Sequence, residues 1–307
     1  MKDITGKQIS LRTAQAMGKV LCSLETLERI KDNSIPKGNI FDLSKASGLL
    51  ASKNTANLIP HCHPISIDSL DIDFELMDEE KDEKGVLIKV SGKSIGRTGM
   101  EMEVLTAVSI TALTIYDLLK PIDKEIEITG IKLLEKTGGK SDKRYQPKAG
   151  TKAAVLVCSD STAAGKREDK SGVIIQKMLR EIGVDIADYQ IVPDEGDKIQ
   201  KQIKSWVDKD IPFIFTSGGT GLGPRDHTVE AVKEIIERDA DGITEVIRTY
   251  GNMRTPFAML SRAIAGSISG TLIITLPGSS NGARESLEAI IPGVFHARKM
   301  LKGGGHS

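Results

Sequence analysis

The chain is 307 residues long, more than one core needs and comfortable for two domains of about 150 residues each. Apolar residues make up 39% and charged residues 27%, the balance of a soluble globular protein with enough apolar side chains for real cores. Lys plus Arg and Asp plus Glu both total 42, so net charge gives no reason to expect nucleic-acid or membrane attraction, and any anionic ligand must be held by local basic clusters.

Cys22, Cys62 and Cys158 are odd in number, far apart and free of any Cys-x-x-Cys pair, which argues against a disulfide framework and for a reducing compartment. Residues 1–4 lack the apolar run of a signal peptide, and no segment approaches the length of a membrane span. A soluble, cytoplasmic protein is therefore expected, with neither nucleic acid nor membrane as a partner.

In chain order, residues 13–30 and 41–58 read as helices, although the first has room for a strand. Residues 67–76 alternate, with Leu70, Ile72, Phe74 and Leu76 on one face. Residues 86–90 alternate after a charged turn at 78–85, so the two segments are expected to pair antiparallel. The pattern predicts a helix over 102–119, stopped by Pro121, and a last strand over 125–134. Helices mixed with an antiparallel sheet indicate an α+β domain, which we expect to be ferredoxin-like.

Residues 137–150 have almost no apolar content and are rich in Gly, Lys and Ser, the composition of an exposed linker. The expected domains are 1–141 and 152–307, joined by 142–151. Beyond the linker, short apolar runs at 153–158, 189–192, 212–216 and 271–276 read as strands. Helical patterns at 171–182, 199–207, 229–236 and 284–301 alternate with them. That grammar specifies an α/β fold, a mostly parallel three-layer sheet whose ligands bind beyond the carboxyl ends of the strands. Asp160, Asp194, Ser217 and Ser279 all fall at that edge.

The loop Ser217-Gly218-Gly219-Thr220-Gly221-Leu222-Gly223 follows a strand and leads toward a helix. Glycines let backbone N–H groups approach an anion closely, and the following helix N-terminus adds favourable partial charge. No Walker lysine follows; Pro224-Arg225-Asp226 instead offers a cation for phosphate and a carboxylate for Mg²⁺, and Asp194 supplies a second carboxylate. The plainer alternative makes the loop a tight turn and Asp226 a helix cap. In the first half, Asp117 and Lys120 share a helix face, and Glu103 lies 14 residues earlier on that side. These too have a plain reading, as a surface ion pair and a helix-dipole partner. His61, Cys62 and His63 invite a zinc reading but lack completing ligands.

Taken together and in order, residues 157–161, 168–172, 192–195, 216–226 and 276–279 resemble the molybdopterin adenylyltransferase family. The likeness covers residues 150–301. It implies activation of molybdopterin with Mg-ATP, giving adenylylated molybdopterin and pyrophosphate. By motif, Asp194 and Asp226 are the implied catalytic acids and Mg²⁺ organisers. Ser217, Gly218, Gly219, Thr220, Gly221 and Ser279 are implied to bind nucleotide and pterin phosphates, with Asp160, Asp169 and Ser171 around the pterin end.

Residues 1–5, 12–14, 37–38, 58–64, 96–103, 107–117 with Lys120, and 135–141 resemble the cyclic pyranopterin monophosphate synthase family. That resemblance implies conversion of a cyclic dehydro-guanosine triphosphate to cyclic pyranopterin monophosphate with loss of pyrophosphate, and no tightly bound cofactor. Asp117 and Lys120 are the implied acid–base pair, with Lys53 a further base. His61, Cys62, His63, Met102 and Glu103 are implied to line the substrate, and Lys37, Lys136 and Lys140 to meet its phosphates. A homo-oligomer with sites between subunits is implied as well. The chain thus reads as a bifunctional enzyme of molybdenum cofactor synthesis. The competing reading keeps only the first half catalytic and makes the second a pterin-binding or assembly module.

Overall fold

The computed structural model describes residues 1–78, 83–139, 146–301 and 303. Lys140, expected to meet phosphate, lies outside the described residues. The chain divides into two compact units, Met1–Asp142 and Lys143–Ser307.

The first unit runs β1 (Ser10–Leu21), α1 (Leu24–Lys31), α2 (Ile40–Lys53), α3 (Thr55–Leu58), β2 (Ser69–Met77), β3 (Gly85–Gly96), α4 (Glu101–Leu119) and β4 (Glu127–Thr137). Its four strands form one sheet in the order β2-β3-β1-β4, every neighbouring pair antiparallel. Val104, Ala107, Val108, Ala112, Ile115 and Leu119 of α4 form a core with Ala14, Ala16, Val20, Ile88 and Val90 of the sheet. α2 lies close against α4 at Gly48, where a Cβ would come within 2.2 Å of the Thr111 hydroxyl.

Two expectations are corrected here. Residues 13–30 are not one helix: β1 occupies the first part, and α1 starts after the N-cap Ser23. Ala, Met, Lys and Leu favour helix locally, but burial alternates along β1 at Arg12, Ala14, Ala16, Gly18 and Val20, and pairing on both sides overrides propensity. Secondly, α4 is by length and composition apolar enough to cross a membrane. Much of its apolar surface is instead spent on the sheet, in the core just described.

The second unit runs β5 (Lys152–Cys158), α5 (Asp160–Ala163), α6 (Ser171–Glu181), β6 (Asp185–Val192), α7 (Gly196–Val207), β7 (Phe213–Ser217), α8 (Thr228–Lys233) and β8 (Arg238–Asp239). It continues through α9 (Asp241–Asn252), a 3-10 turn at Pro256–Leu260, β9 (Ala265–Ile268), β10 (Thr271–Leu276), α10 (Ser280–Ile290) and α11 (Ala297–Leu301). The sheet order is β6-β5-β7-β10-β9-β8; the first four strands are parallel, while β9 and β8 join antiparallel. Apolar side chains cover both sheet faces. Val155, Phe215 and Ile274 pack with Ile175 of α6 and Leu287 of α10, while Leu156, Ile214 and Ile273 pack with Ile203 and Trp206 of α7.

The helix expected over 284–301 ends at Ile290, because Pro292 lacks the N–H that would continue it. α9, β8 and β9 were not foreseen. α9 carries Ile243, Ile247 and Tyr250 at helical spacing, all packed in the core. The two antiparallel strands leave no comparable trace, being two and four residues long.

Candidate functional site

The parallel strands deliver their loops to one edge of the second unit. β5 leads to Asp160, β6 to Asp194, β7 to the glycine loop, and β10 to Ser279. Gly218 and Gly219 have φ of 102° and 60°, conformations that side chains rarely adopt. A Cβ on Gly218 would lie 2.1 Å from the Cys158 carbonyl; one on Gly219 would lie 2.2 Å from the Thr228 hydroxyl and 2.4 Å from an Asp194 oxygen. The loop can therefore sit against its neighbours only as glycine.

Ser217 is fully buried, and its hydroxyl donates to the Pro277 carbonyl (3.1 Å), tying the ends of β7 and β10 together. Gly218 N–H donates to the Leu276 carbonyl (3.1 Å), and Gly223 N–H to an Asp226 carboxylate oxygen (2.7 Å). Among the described residues, no acceptor meets the N–H groups of Gly219, Thr220 and Gly221. Three successive free donors in a glycine-rich turn are the makings of an anion cradle. The side chain of Thr220 adds little, being buried.

Asp194 is 6% exposed. Its carboxylate accepts from the His227 N–H and the Thr228 hydroxyl, both at 3.2 Å. Burial, and the Asp226 carboxylate after it, push its pKa above the usual aspartate value against the pull of those donors. Its own N–H donates to Asp160 (3.1 Å), whose other oxygen holds the Arg225 guanidinium. Arg225 and that N–H hold the Asp160 pKa down. Asp169 caps the start of α6, accepting from Gly172 N–H (2.9 Å), the Ser171 hydroxyl (3.1 Å) and the Tyr189 hydroxyl (2.6 Å). Ser279 is exposed at the N-cap of α10, where its hydroxyl accepts from Gly282 N–H (3.2 Å).

Two clefts flank the loop. A polar one of about 380 Å³ takes in Asp160, Asp169, Ser171, Asp194 and Arg225. A larger one of about 670 Å³ takes in Thr220, Gly221, Ile247, Phe257, Leu260 and Ser279. Gly219, Asp226 and Gly278 line both. The second-half residues singled out from the sequence therefore converge. What the sequence did not reveal is Arg262, whose guanidinium reaches the Gly221 and Asp226 carbonyls from a segment with no motif.

In the first unit the expected residues fall into two clusters, one at each end of α4. At the carboxyl end, Lys120 Nζ lies 2.7 Å and Lys37 Nζ 3.0 Å from the Asp117 carboxylate. Lys120 first, then Lys37, lower the pKa of Asp117, and Asp117 in turn raises that of Lys120. Lys37, expected at phosphate, is thus held by an acid, and Lys53 is exposed at the end of α2.

At the amino end, Glu103 is 3% exposed and accepts from the Cys62 thiol (3.7 Å). Burial pushes the Glu103 pKa up, and Glu101 adds to it. Burial and the charge of Glu103 raise the Cys62 thiol as well. Burial works to raise Glu101 too, yet the hydrogen bond from Lys136 (2.8 Å) carries it below the usual value. His61 is exposed, His63 half-buried, and Met102 on α4 partly exposed. Glu103 and Asp117 are 14 residues apart, about 21 Å along the helix axis at 1.5 Å per residue. One unit does not bring the two clusters together. Arg12, given no role from the sequence, is buried beside the amino-end cluster, where its guanidinium donates to the Gly96 (3.2 Å), Gln8 (3.3 Å) and Arg97 (3.4 Å) carbonyls. Its traces in the sequence are the 12–14 motif that it opens and an inward position on an alternating strand.

Comparison with known proteins agrees with this division. Residues 1–139 match a model described as the MoaC family, and residues 154–296 one described as a Probable molybdopterin binding domain. A molybdenum cofactor biosynthesis bifunctional protein of Chlorobaculum tepidum is 41% identical over 310 residues, covering 100% of this chain and 96% of the relative. A protein of the same description from Synechococcus elongatus is 37% identical over 317 residues, covering 100% and 98%. The cyclic pyranopterin monophosphate synthase of Desulfitobacterium hafniense is 47% identical over 141 residues, 46% of this chain and 84% of that protein. With both halves matched and its full length shared with such relatives, this chain belongs to the family of molybdenum cofactor biosynthesis bifunctional proteins.

Proposed function

We propose that the second unit adenylylates molybdopterin with Mg-ATP, and that the first converts the cyclic dehydro-guanosine triphosphate intermediate to cyclic pyranopterin monophosphate and pyrophosphate. The observation that carries the adenylyl-transfer reading is the run of free N–H groups at Gly219, Thr220 and Gly221 beside the Asp194 and Asp226 carboxylates. Backbone donors of this kind orient phosphate oxygens without a Walker lysine. Among the described residues no three Asp, Glu, His or Cys side chains gather to hold a metal alone. Asp194 and Asp226, two carboxylates in mutual repulsion, would nevertheless suit Mg²⁺, an ion that commonly completes its shell with substrate phosphates and water. When bound, Mg²⁺ offsets the charge on the transferred phosphoryl group. The polar cleft with Asp160, Asp169 and Ser171 is assigned to the pterin, and the cleft beside Phe257 and Ser279 to the nucleotide.

In the first unit, Asp117 keeps Lys120 charged, while Glu103, its pKa raised by burial, holds a proton more readily than an exposed glutamate and joins Lys120 in proton transfer. Lys53, His61, Cys62, His63 and Met102 surround the substrate; Lys37 and Lys136 exchange their present acidic partners for its phosphates, and Lys140 joins them there. The length of α4 between the two clusters supports a homo-oligomer whose sites combine two copies. We place the functional domains at 1–141 and 152–307 with a linker at 142–151, both at work in the cytoplasm, in keeping with free thiols at Cys22, Cys62 and Cys158. The β-α-β-β-α-β order of the first unit supports a ferredoxin-like label.

The deciding experiment supplies the full chain with molybdopterin, ATP and Mg²⁺ and follows pyrophosphate. Asp226→Asn keeps an oxygen for the Gly223 N–H but removes the charge, and should slow release by about 100-fold or more. Release at the parent rate would overturn the role of Asp226; no release from the parent would leave the second unit a binding module.

A further inference from the structure

The segment between the 3-10 turn Pro256–Leu260 and β9 carries one side chain that reaches along the glycine loop. The backbone N–H of Arg262 donates to the Thr220 carbonyl (3.1 Å). Its Nε donates to the Gly221 carbonyl (2.6 Å), and one terminal nitrogen to the Asp226 carbonyl (2.9 Å). The other terminal nitrogen pairs with Glu230 on α8. One residue thus binds the crest of the loop, the backbone of Asp226 and the first turn of the next helix.

Peptide geometry gives these bonds a further consequence. In a trans peptide the carbonyl of one residue and the N–H of the next point in opposite directions. Fixing the Thr220 carbonyl therefore aims the Gly221 N–H away from Arg262, and Gly221 is one of the three free donors. The Asp226 carbonyl is fixed by the same guanidinium, while its carboxylate is set by the Gly223 N–H. We propose that Arg262 is a positioning residue of the second unit's site, directing the loop's free donors and the stance of Asp226 without touching the transferred group. The proposal rests on the adenylyl-transfer reading above. A guanidinium is required because its donors leave in fixed directions within one plane, whereas a lysine ammonium is a single point on a flexible stem. Glu230 balances the charge, so what Arg262 contributes is direction and not field.

Arg262→Lys and Arg262→Gln in the full chain separate geometry from charge. Both should lower kcat for pyrophosphate release by about tenfold to hundredfold, the usual loss when a site is misplaced by about an ångström. Both should also raise the Mg²⁺ concentration needed for half the maximal rate, with a melting temperature close to the parent's. Arg262→Lys with the parent's kcat and Mg²⁺ requirement overturns the proposal. So does a loss of activity in both variants that only tracks loss of folded protein, since Arg262 is then a stability residue. If the parent itself releases no pyrophosphate, the adenylyl-transfer reading fails instead, and calorimetric titration with inorganic pyrophosphate decides the matter. Weaker binding by Arg262→Lys supports loop positioning, and equal binding overturns it.

Discussion

Asp194 meets two opposed demands. Its carboxylate is withdrawn from water and faces Asp226, so ionisation costs the fold, yet the ionised form is the one that suits a metal-bound phosphate. A folded-state pKa raised above the unfolded value means that stability is greatest below the unfolded value and declines as pH rises through the folded one. Asp194→Asn removes that decline while leaving an acceptor for Thr228. At pH 7.5 its melting temperature should exceed the parent's, an advantage that fades as pH falls below the ordinary aspartate range, while adenylyl transfer is lost. Equal melting temperatures at both pH values would sink this account of the buried charge. Asp117 has the opposite sign. Lys120 and Lys37 lower its pKa, so the stability it lends is present above the ordinary aspartate value and is lost as pH falls through the folded one. All three groups are about half exposed, so that contribution is small. Lys120→Ala should therefore scarcely move the melting curve while slowing first-unit turnover by about 100-fold or more. Undiminished turnover of the cyclic triphosphate would remove Lys120 from the mechanism.

At the level of elements, the glycine loop is the most constrained piece of backbone in the second unit. Gly219→Ala places a methyl group against Thr228 and Asp194 at a positive φ, and should destabilise the chain by about 1–3 kcal/mol in urea unfolding. A cost near zero would mean that the loop has another conformation within easy reach. This loop, and the acids at the strand ends, were legible because strand, turn and helix follow one another in sequence and their chemistry is local. The bonds of Arg262 to Gly221 and of Arg12 to Gly96 were not, because these partners lie 41 and 84 residues away and only the fold brings them together. β1 misled for a different reason. Its Ala, Met and Lys residues carry a helical preference that pairing with β3 and β4 overrules, and only the alternation at Arg12, Ala14 and Ala16 marked the strand. α9 had a readable stripe, whereas β8 is too short to have a period at all.

At the scale of the molecule, the described residues form three clusters of buried apolar side chains. One cluster belongs to the first unit, and the two that cover the sheet faces belong to the second. Each half thus has a core of its own. In the first unit the Glu103 and Asp117 clusters stand a helix length apart. Mixing Glu103→Gln with Lys120→Ala under conditions that exchange subunits should restore turnover that neither variant has alone, because some sites then draw intact residues from each copy. A mixture no more active than its components would place both clusters' work within one copy. In the second unit the relation is reversed, for one short wall of Gly219, Asp226 and Gly278 serves two clefts. A molecule with a head for each cleft and a short bridge over that wall makes its second contact at an effective concentration of about millimolar, so the two affinities multiply. Tethered inhibitors built on this plan would silence adenylyl transfer and leave the first unit's chemistry running.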